Sequence, residues 1–293
     1  MTARGLWRER WLLLLPAGTL LSVAVAVPVL RVLGLSLSDV VLEGDVETRW
    51  AGLTQFVRLW KDGRFLAALR NTIVFTSASV LLEMLLGVAF ALVLHRTFRG
   101  RGLARAITML PWALPTAVMA LAWAWIFNDS FGVANDLLSR AGLIRQPLAW
   151  LGGPASAMAS LVIADVWKTA PFVMLIALAG LQTVPSEVLE AARVDGLSAS
   201  QRLRRVVLPL LAPALLVALA FRAIQAYGAF DLIYVMTGGG PGGSTETLSL
   251  YAFDNYFRYL DFGYGSAVAV MGALLLGVAA LAGMAVARLR RGA

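Results

Sequence analysis

The sequence predicts an all-α polytopic membrane protein with six transmembrane helices, on three observations. First, apolar residues make up 59% of the 293 residues and charged residues 14%, against roughly 45–50% and 25% in a soluble domain. Second, six runs reach the roughly 20 apolar residues that a helix needs to cross a bilayer: Trp11–Leu33, Thr72–Leu94, Ala106–Phe127, Ala157–Leu181, Leu210–Met236 and Gly265–Ala287. None has the two-residue alternation of a barrel strand. Third, Lys and Arg are segregated between the runs. The two tails and the 95–105 and 182–209 loops carry fourteen, and the longer intervening loops carry eight beside ten acidic residues. The positive-inside rule then puts both termini in the cytoplasm.

These runs set the boundaries: a cytoplasmic N-terminal tail over 1–10, a transmembrane domain over 11–287 with the 182–209 cytoplasmic loop inside it, and a cytoplasmic C-terminal tail over 288–293. The first run competes with a secretory signal, because Ala24-Val25-Ala26 resembles a cleavage site. The run is longer than a usual signal core and Pro28 follows directly, so a retained anchor is expected. Residues 52–70 mix Phe56, Leu59, Trp60 and Phe65 with charges, and are expected to lie as a short helix on the outer membrane surface. Pro111 and Pro115 interrupt span three, Pro171 span four and Pro213 span five, and each frees backbone groups and favours a kink.

Composition also excludes chemistry. With no Cys the chain lacks disulfides and thiolate nucleophiles, and its single His, His95, argues against a His-rich metal site and a Ser-His-Asp triad. The net charge of +8, with 23 of 25 basic residues Arg, reads as topology control rather than nucleic-acid binding. A charge buried in a span costs about 2.5–3.5 kcal/mol on insertion scales and marks a candidate functional residue. Glu83, Asp165, Lys168, Arg222 and Asp231 are of this kind. Asp165 and Lys168, three residues apart, can neutralise each other or meet a solute. Arg222, Gln225, Ala226 and Ala229 share one helix face. Asp231 lies about 180° round from Arg222 and shares its face with Tyr227 and Tyr234. Glu83 has no partner visible in the sequence, and a structural hydrogen bond is expected.

The 182–209 loop has internal order. Pro185 and Glu187 suit a helix start, Gly196 suits a left-handed stop, and Ser198 with Gln201 makes a capping box for a second helix. Arg202, Arg204 and Arg205 follow, then Leu208-Pro209 before span five. The loop is therefore expected to be two short helices meeting at a glycine elbow. Ala191 and Ala192 leave one surface bare for another backbone.

Glu190-Ala191-Ala192, three residues, Gly196, nine residues, Val206, one residue and Leu208-Pro209 resemble the EAA motif of ABC importer permeases, with Val206 where Ile is common. Asn71-Thr72, Leu110-Pro111-Trp112-Ala113-Leu114-Pro115, Trp167-Lys168-Thr169-Ala170-Pro171-Phe172 and Thr237-Gly238-Gly239-Gly240-Pro241 resemble the sugar-importer branch typified by maltose permeases. So do Gly243-Ser244-Thr245-Glu246-Thr247-Leu248 and Asp261-Phe262-Gly263-Tyr264-Gly265. The likeness runs from about Trp11 to the C-terminus, and the EAA loop is its most specific part.

The resemblance implies a permease subunit that carries a mono-, di- or oligosaccharide across the inner membrane by ATP-driven alternating access. The cytoplasmic loop would be its coupling-helix loop, with Glu190, Ala191, Ala192, Asp195, Gly196, Leu208 and Pro209 meeting the ATPase. The solute path would run past Lys168, Thr169, Phe172, Arg222, Gln225, Ala226 and Tyr227. The branch has Asn-rich positions in span five where this chain has Gln225, Tyr227, Gly228 and Ala229, so maltose itself is not implied. Implied partners are a second homologous permease, two ATPase subunits, an extracytoplasmic solute-binding protein and lipid. ATP and Mg belong on the ATPase, and no cofactor, metal or catalytic residue is expected in this chain. Trp112, Trp123 and Trp125 are expected as interfacial anchors. The glycine run 238–243 has nearly the spacing of a phosphate-binding loop but lacks its Lys, so a tight outer turn is expected. The alternatives are a permease for glycerol phosphate, with Arg222 on the phosphate, an ion-coupled secondary transporter using Asp165, Asp231 or Glu83, and an intramembrane enzyme.

Overall fold

Runs of Leu, Ala and Val without breakers form long helices, and the chain changes direction where Pro, Gly or a capping side chain intervenes. The computed structural model describes residues 3–41 and 47–292, with side chains over 14–40 and 47–285. Arg4, Arg8, Arg10, Arg288, Arg290 and Arg291 of the expected tails lie outside the described side chains. In chain order the elements are α1 (Ala3–Ser36), β1 (Ser38–Val41), β2 (Glu47–Trp50), α2 (Thr54–Lys61), α3 (Gly63–His95), α4 (Arg101–Ala113), α5 (Thr116–Ile126) and α6 (Val133–Arg140). There follow α7 (Pro154–Gln182), α8 (Ser186–Val194), α9 (Ala199–Arg202), α10 (Leu208–Tyr227), α11 (Asp231–Met236), α12 (Leu248–Phe253) and α13 (Phe262–Gly292).

Among the described residues five helices are long and apolar enough to span: Leu14–Ser36, Gly63–His95, Pro154–Gln182, Ala199–Tyr227 and Phe262–Ala285. The sixth expected span is α4 and α5 together, bent by 93°. Leu114 sits between them in extended backbone (φ −73°, ψ 140°), the conformation that the following Pro115 imposes. Span five also differs from the uninterrupted run expected to Met236. It stops at Tyr227, with Gly228 at its cap, and restarts as α11 at Asp231.

Other elements depart from the sequence reading. The 38–50 segment forms a hairpin, with Ser38 opposite Trp50 and Val41 opposite Glu47, where no strand was expected. Residues 52–70 are not one short helix. α2 ends at Lys61, and α3 begins at Gly63 with one residue between, because Asp62 caps it, accepting the Arg64 amide at 2.8 Å. The second helix of the 182–209 loop does not end before span five. A π-turn over Leu203–Val207 joins α9 to α10, letting the helix run through Pro209, which has no amide hydrogen to give the previous turn. α1 and α13 extend into the stretches expected as tails, since nothing there breaks a helix.

The chain divides into two compact units, Met1–Leu66 with Tyr251–Ala279, and Ala67–Leu250 with Ala280–Ala293. In the first, Asp62 organises the packing. It accepts the Tyr251 hydroxyl at 2.5 Å and also the Tyr264 hydroxyl. Arg58 lies 4.0 Å over the Tyr264 ring and pairs with Asp261 at 2.8 Å. Burial works against a charged Asp62, but the two hydroxyls and the Arg64 and Phe65 amides outweigh it and hold the carboxyl below its usual range. Tyr251 is pushed up to about 12 by burial and by the same carboxylate.

In the second unit α7 is the central helix, with 67% of its apolar window buried. α3, α4 and α10 pack against it. Two glycines permit the close approach, as small residues do between membrane helices. A Cβ on Gly87 of α3 would fall 2.5 Å from Val173 Cβ, and one on Gly180 of α7 would fall 2.9 Å from Ala214 Cβ. Ala91, Leu94, Met174, Ala177, Leu178, Leu181 and Leu211 then close a buried apolar cluster at one end of these helices.

Replacing Gly87 by Ala should lower stability in detergent by about 1–3 kcal/mol through overpacking. Gly18→Ala, where nothing lies within 4 Å, should not lower it, since Ala suits a helix interior better than Gly; thermal unfolding of the purified protein measures both. Because the Asp62 pKa is depressed in the fold, its stabilisation is complete above the unfolded value of about 3.9 and fades as pH falls through the folded value. Wild-type stability should therefore drop below about pH 4, and Asp62→Asn should be less stable at neutral pH with a shallower acid decline.

Candidate functional site

The breaks in the two interrupted spans meet in the second unit around a cavity of about 420 Å³. α4 and α5 contribute Trp112 and Thr116, and α7 contributes Asp165, Lys168 and Thr169. α10 contributes Arg222 and Gln225, and the segment before and into α11 supplies Gly228, Ala229, Phe230, Asp231 and Leu232. Irregular backbone at membrane depth is tolerated where it is buried or lines a cavity. The Leu114 carbonyl, left outside the helix ladder at the α4–α5 bend, accepts the Lys168 ammonium.

Behind the cavity lies a buried ion network. Arg222 gives Nε to Glu83 at 2.5 Å and Nη2 to Glu83 at 2.9 Å, a two-point grip. Its Nη2 also reaches Asp165 at 3.3 Å, and its Nη1 donates to Gln225 at 2.6 Å. Glu83 is fully buried and Arg222 is 3% exposed. The network joins α3, α7 and α10. It corrects one expectation and completes another: Asp165 pairs with Arg222 rather than with Lys168, and the structural hydrogen bond expected at Glu83 is a charged one, to Arg222. The charges were visible in the sequence, but the pairing depends on which helices adjoin.

Of the residues expected along the solute path, Lys168, Thr169, Arg222 and Gln225 line the cavity. Phe172 does not. Its ring is sandwiched between Trp112 (6.1 Å) and Phe221 (4.9 Å), tying α4, α7 and α10 together. Ala226 is buried, and Tyr227, half-buried, is not among the lining residues. Trp112, expected as an interfacial anchor, lines the cavity. Thr116 and Phe230 were missed, because only the double break in the spans brings them there. Trp123 packs against Trp167 (5.7 Å) and Trp125 against Phe131 (6.3 Å).

The 182–209 loop folds around Gly196, which adopts φ +76°. The Gly196 amide donates to the Arg193 carbonyl at 3.0 Å and the Leu197 amide to the Ala192 carbonyl at 3.1 Å, the paired bonds of a left-handed helix stop. Ser198 and Gln201 make the reciprocal capping box, with the Ser198 amide donating to Gln201 at 2.8 Å. Glu190, Ala191, Asp195 and Gly196 are exposed, Ala192 is buried, Leu208 is half-buried and Pro209 is exposed. Val194, an apolar residue, is 87% exposed.

The glycine run 238–243 is a tight turn. Gly240, Ser244, Thr245 and Glu246 donate their amides to carbonyls of the same loop. Asn71 holds the loop through the Gly243 and Glu246 carbonyls at 2.9 and 3.1 Å, and Thr72 Oγ1 accepts the Leu248 amide at 2.8 Å.

Residues 83–291 match the family described as binding-protein-dependent transport system inner membrane component. The trehalose/maltose transport system permease protein MalF of Thermococcus litoralis is 42% identical over 99% of this chain and 98% of its own length. The sulfoquinovosyl glycerol transport system permease protein SmoG of Agrobacterium fabrum is 39% identical over 89% of this chain and 84% of its own. The trehalose transport system permease protein SugA of Mycobacterium tuberculosis is 38% identical over 90% and 83%. A chain of a bacterial ABC transporter involved in the import of the acidic polysaccharide alginate superposes with a TM-score of 0.82 over 97% of this chain and 98% of that one. At 22% identity that likeness speaks for the fold.

Arg222→Met leaves Glu83 buried and unpaired, and should cost about 3–5 kcal/mol. The double variant Glu83→Met with Arg222→Met should recover much of that loss. Yield and unfolding of the purified protein in detergent measure both.

Proposed function

The chain belongs to the family of binding-protein-dependent transport system inner membrane components, and from that premise we propose that it is the permease subunit of an ABC importer for a sugar. The observation that carries the cargo is the near-full-length likeness to a trehalose/maltose permease. The cavity supports it: Trp112 and Phe230 offer ring faces, and Thr116, Thr169 and Gln225 offer hydroxyl and amide groups, the combination that suits a polyhydroxylated ring with apolar faces. Family membership argues against an ion-coupled carrier and against an intramembrane enzyme.

The working assembly pairs this permease with a second, homologous one, two ATPase subunits and an extracytoplasmic solute-binding protein. ATP and Mg bind to the ATPases. Both termini and the α8–α9 hairpin face the cytoplasm. The apolar window of α1 has no buried residue among those described, which leaves it for lipid or the partner permease. Glu190, Ala191 and Val194 offer the ATPase an exposed face, and Asp195, Gly196, Leu208 and Pro209 set its angle. The hairpin is stiff. Arg202 Nη1 donates to the Leu197 carbonyl at 2.6 Å, and Val184 and Val207 at its base pack on the buried apolar cluster. ATP-driven closure of the ATPases moves α8, and α7 and α10 carry that movement to the cavity. Coupling requires that the docked hairpin differ in free energy between the inward- and outward-open states.

Glu190→Ala and Gly196→Ala should both uncouple hydrolysis from uptake in the reconstituted complex. Gly196→Ala meets no atom within 4 Å but forces a side chain into the left-handed region, at about 1–2 kcal/mol. Sugar uptake per ATP hydrolysed, measured in proteoliposomes, should fall while the complex still assembles. Wild-type ratios in both variants would remove the hairpin from the mechanism.

A further inference from the structure

The sugar-permease reading leaves open whether the cargo is neutral or anionic, and its relatives' names cover both kinds. Arginine is the side chain best suited to an anionic sugar, because its fork grips carboxylate, sulfonate or phosphate at two points. Arg222 lines the cavity, but its fork is already occupied. Nε and Nη2 grip Glu83, Nη2 also meets Asp165, and Nη1 donates to Gln225. To grip an arriving anion at two points Arg222 would have to release Glu83, which is fully buried, and leave that carboxylate without a partner in a low-dielectric interior, or give up Asp165 and Gln225 together.

The remaining charges point the same way. Among the described residues the cavity and its backing hold two cations, Lys168 and Arg222, and three carboxylates, Glu83, Asp165 and Asp231. Counted by residue, carboxyl groups outnumber cationic groups by one. Lys168 is the remaining cation, and its ammonium is directed at the Leu114 carbonyl. Asp165 and Asp231 present acceptors that suit sugar hydroxyls and repel an anion.

We propose that the cavity selects uncharged sugars against their anionic counterparts, and that Glu83 enforces this as a positioning residue by occupying the face of Arg222 that would grip an anion at two points. This rests on the sugar-permease reading. It removes the basis for a glycerol phosphate permease, which needs Arg222 on the phosphate.

The test uses the complete complex in nanodiscs, without the solute-binding protein so that its own selectivity does not intervene. Binding is read as the change in fluorescence that disappears in Trp112→Phe. The probes are trehalose and maltose, each against an anionic counterpart, trehalose 6-phosphate and maltobionate. Neutral sugars should bind the wild type at least about tenfold more tightly than the anions. In Glu83→Gln, which loosens the grip on Arg222, that ratio should shrink through tighter binding of the anions, a change that a merely structural residue would not produce. If Glu83→Gln does not assemble, Asp165→Asn removes a cavity carboxylate and should shrink the ratio in the same direction. Equal or tighter binding of the anions by the wild type would overturn the proposal, as would binding of none of the probes or an unchanged ratio in the variant that assembles. ATP hydrolysis stimulated by the loaded solute-binding protein is measured in parallel. If it persists, the importer reading stands even where the selectivity proposal fails; if it is absent, the importer reading fails instead.

Discussion

A low-dielectric interior does not tolerate a lone charge, and the second unit is organised around that constraint. Glu83, Asp165 and Arg222 come from three helices and meet with the guanidinium and one carboxylate almost wholly enclosed. Such a network contributes little net stability compared with well-packed apolar side chains, but breaking it is costly. It therefore acts as a register device: α3, α7 and α10 have to approach with these three side chains in line. Gly87 and Gly180 make the approach sterically possible, and the Trp112–Phe172–Phe221 stack continues it on the apolar side.

The cavity and the cytoplasmic hairpin are two ends of one construction. α10 runs from Leu208 beside the hairpin to Arg222 beside the cavity, fourteen residues or about 21 Å at 1.5 Å per residue. α7 runs the opposite way, from Asp165 to Leu181. Between them the apolar cluster around Met174, Leu178 and Leu211 leaves little room to slide independently. In the proposed importer a push on α8 reaches the cavity because these two helices are stiff and packed together.

Much of this was legible in the primary structure, and the reasons differ by element. The spans were legible because a bilayer demands length and apolarity, which are local properties. Gly196, Ser198 and Gln201 were legible because helix capping is a matter of neighbours in sequence, and each takes its expected conformation. The broken spans were only half legible. Pro111 and Pro115 announced a bend, but the break at Gly228 carries no proline. The partner of Glu83 was hidden because it lies 139 residues away, and nothing local distinguishes Arg222 from another cation. Phe172 was placed on the solute path by likeness alone, and the stack that withdraws it from the cavity depends on rings from two other helices.

The contrast between α1 and α7 has an evolutionary consequence. None of the described residues in the apolar window of α1 is buried within the chain, whereas most of the α7 window is. Where a side chain meets only fluid hydrocarbon, Leu, Val and Ile are nearly interchangeable, and drift among them is close to neutral. Where Ala164, Ala170 and Ala177 lie against neighbouring atoms with almost no exposed surface, one added methylene is felt. Within a single polypeptide, the first helix thus escapes the packing constraint that the chain's own residues place on the fourth span.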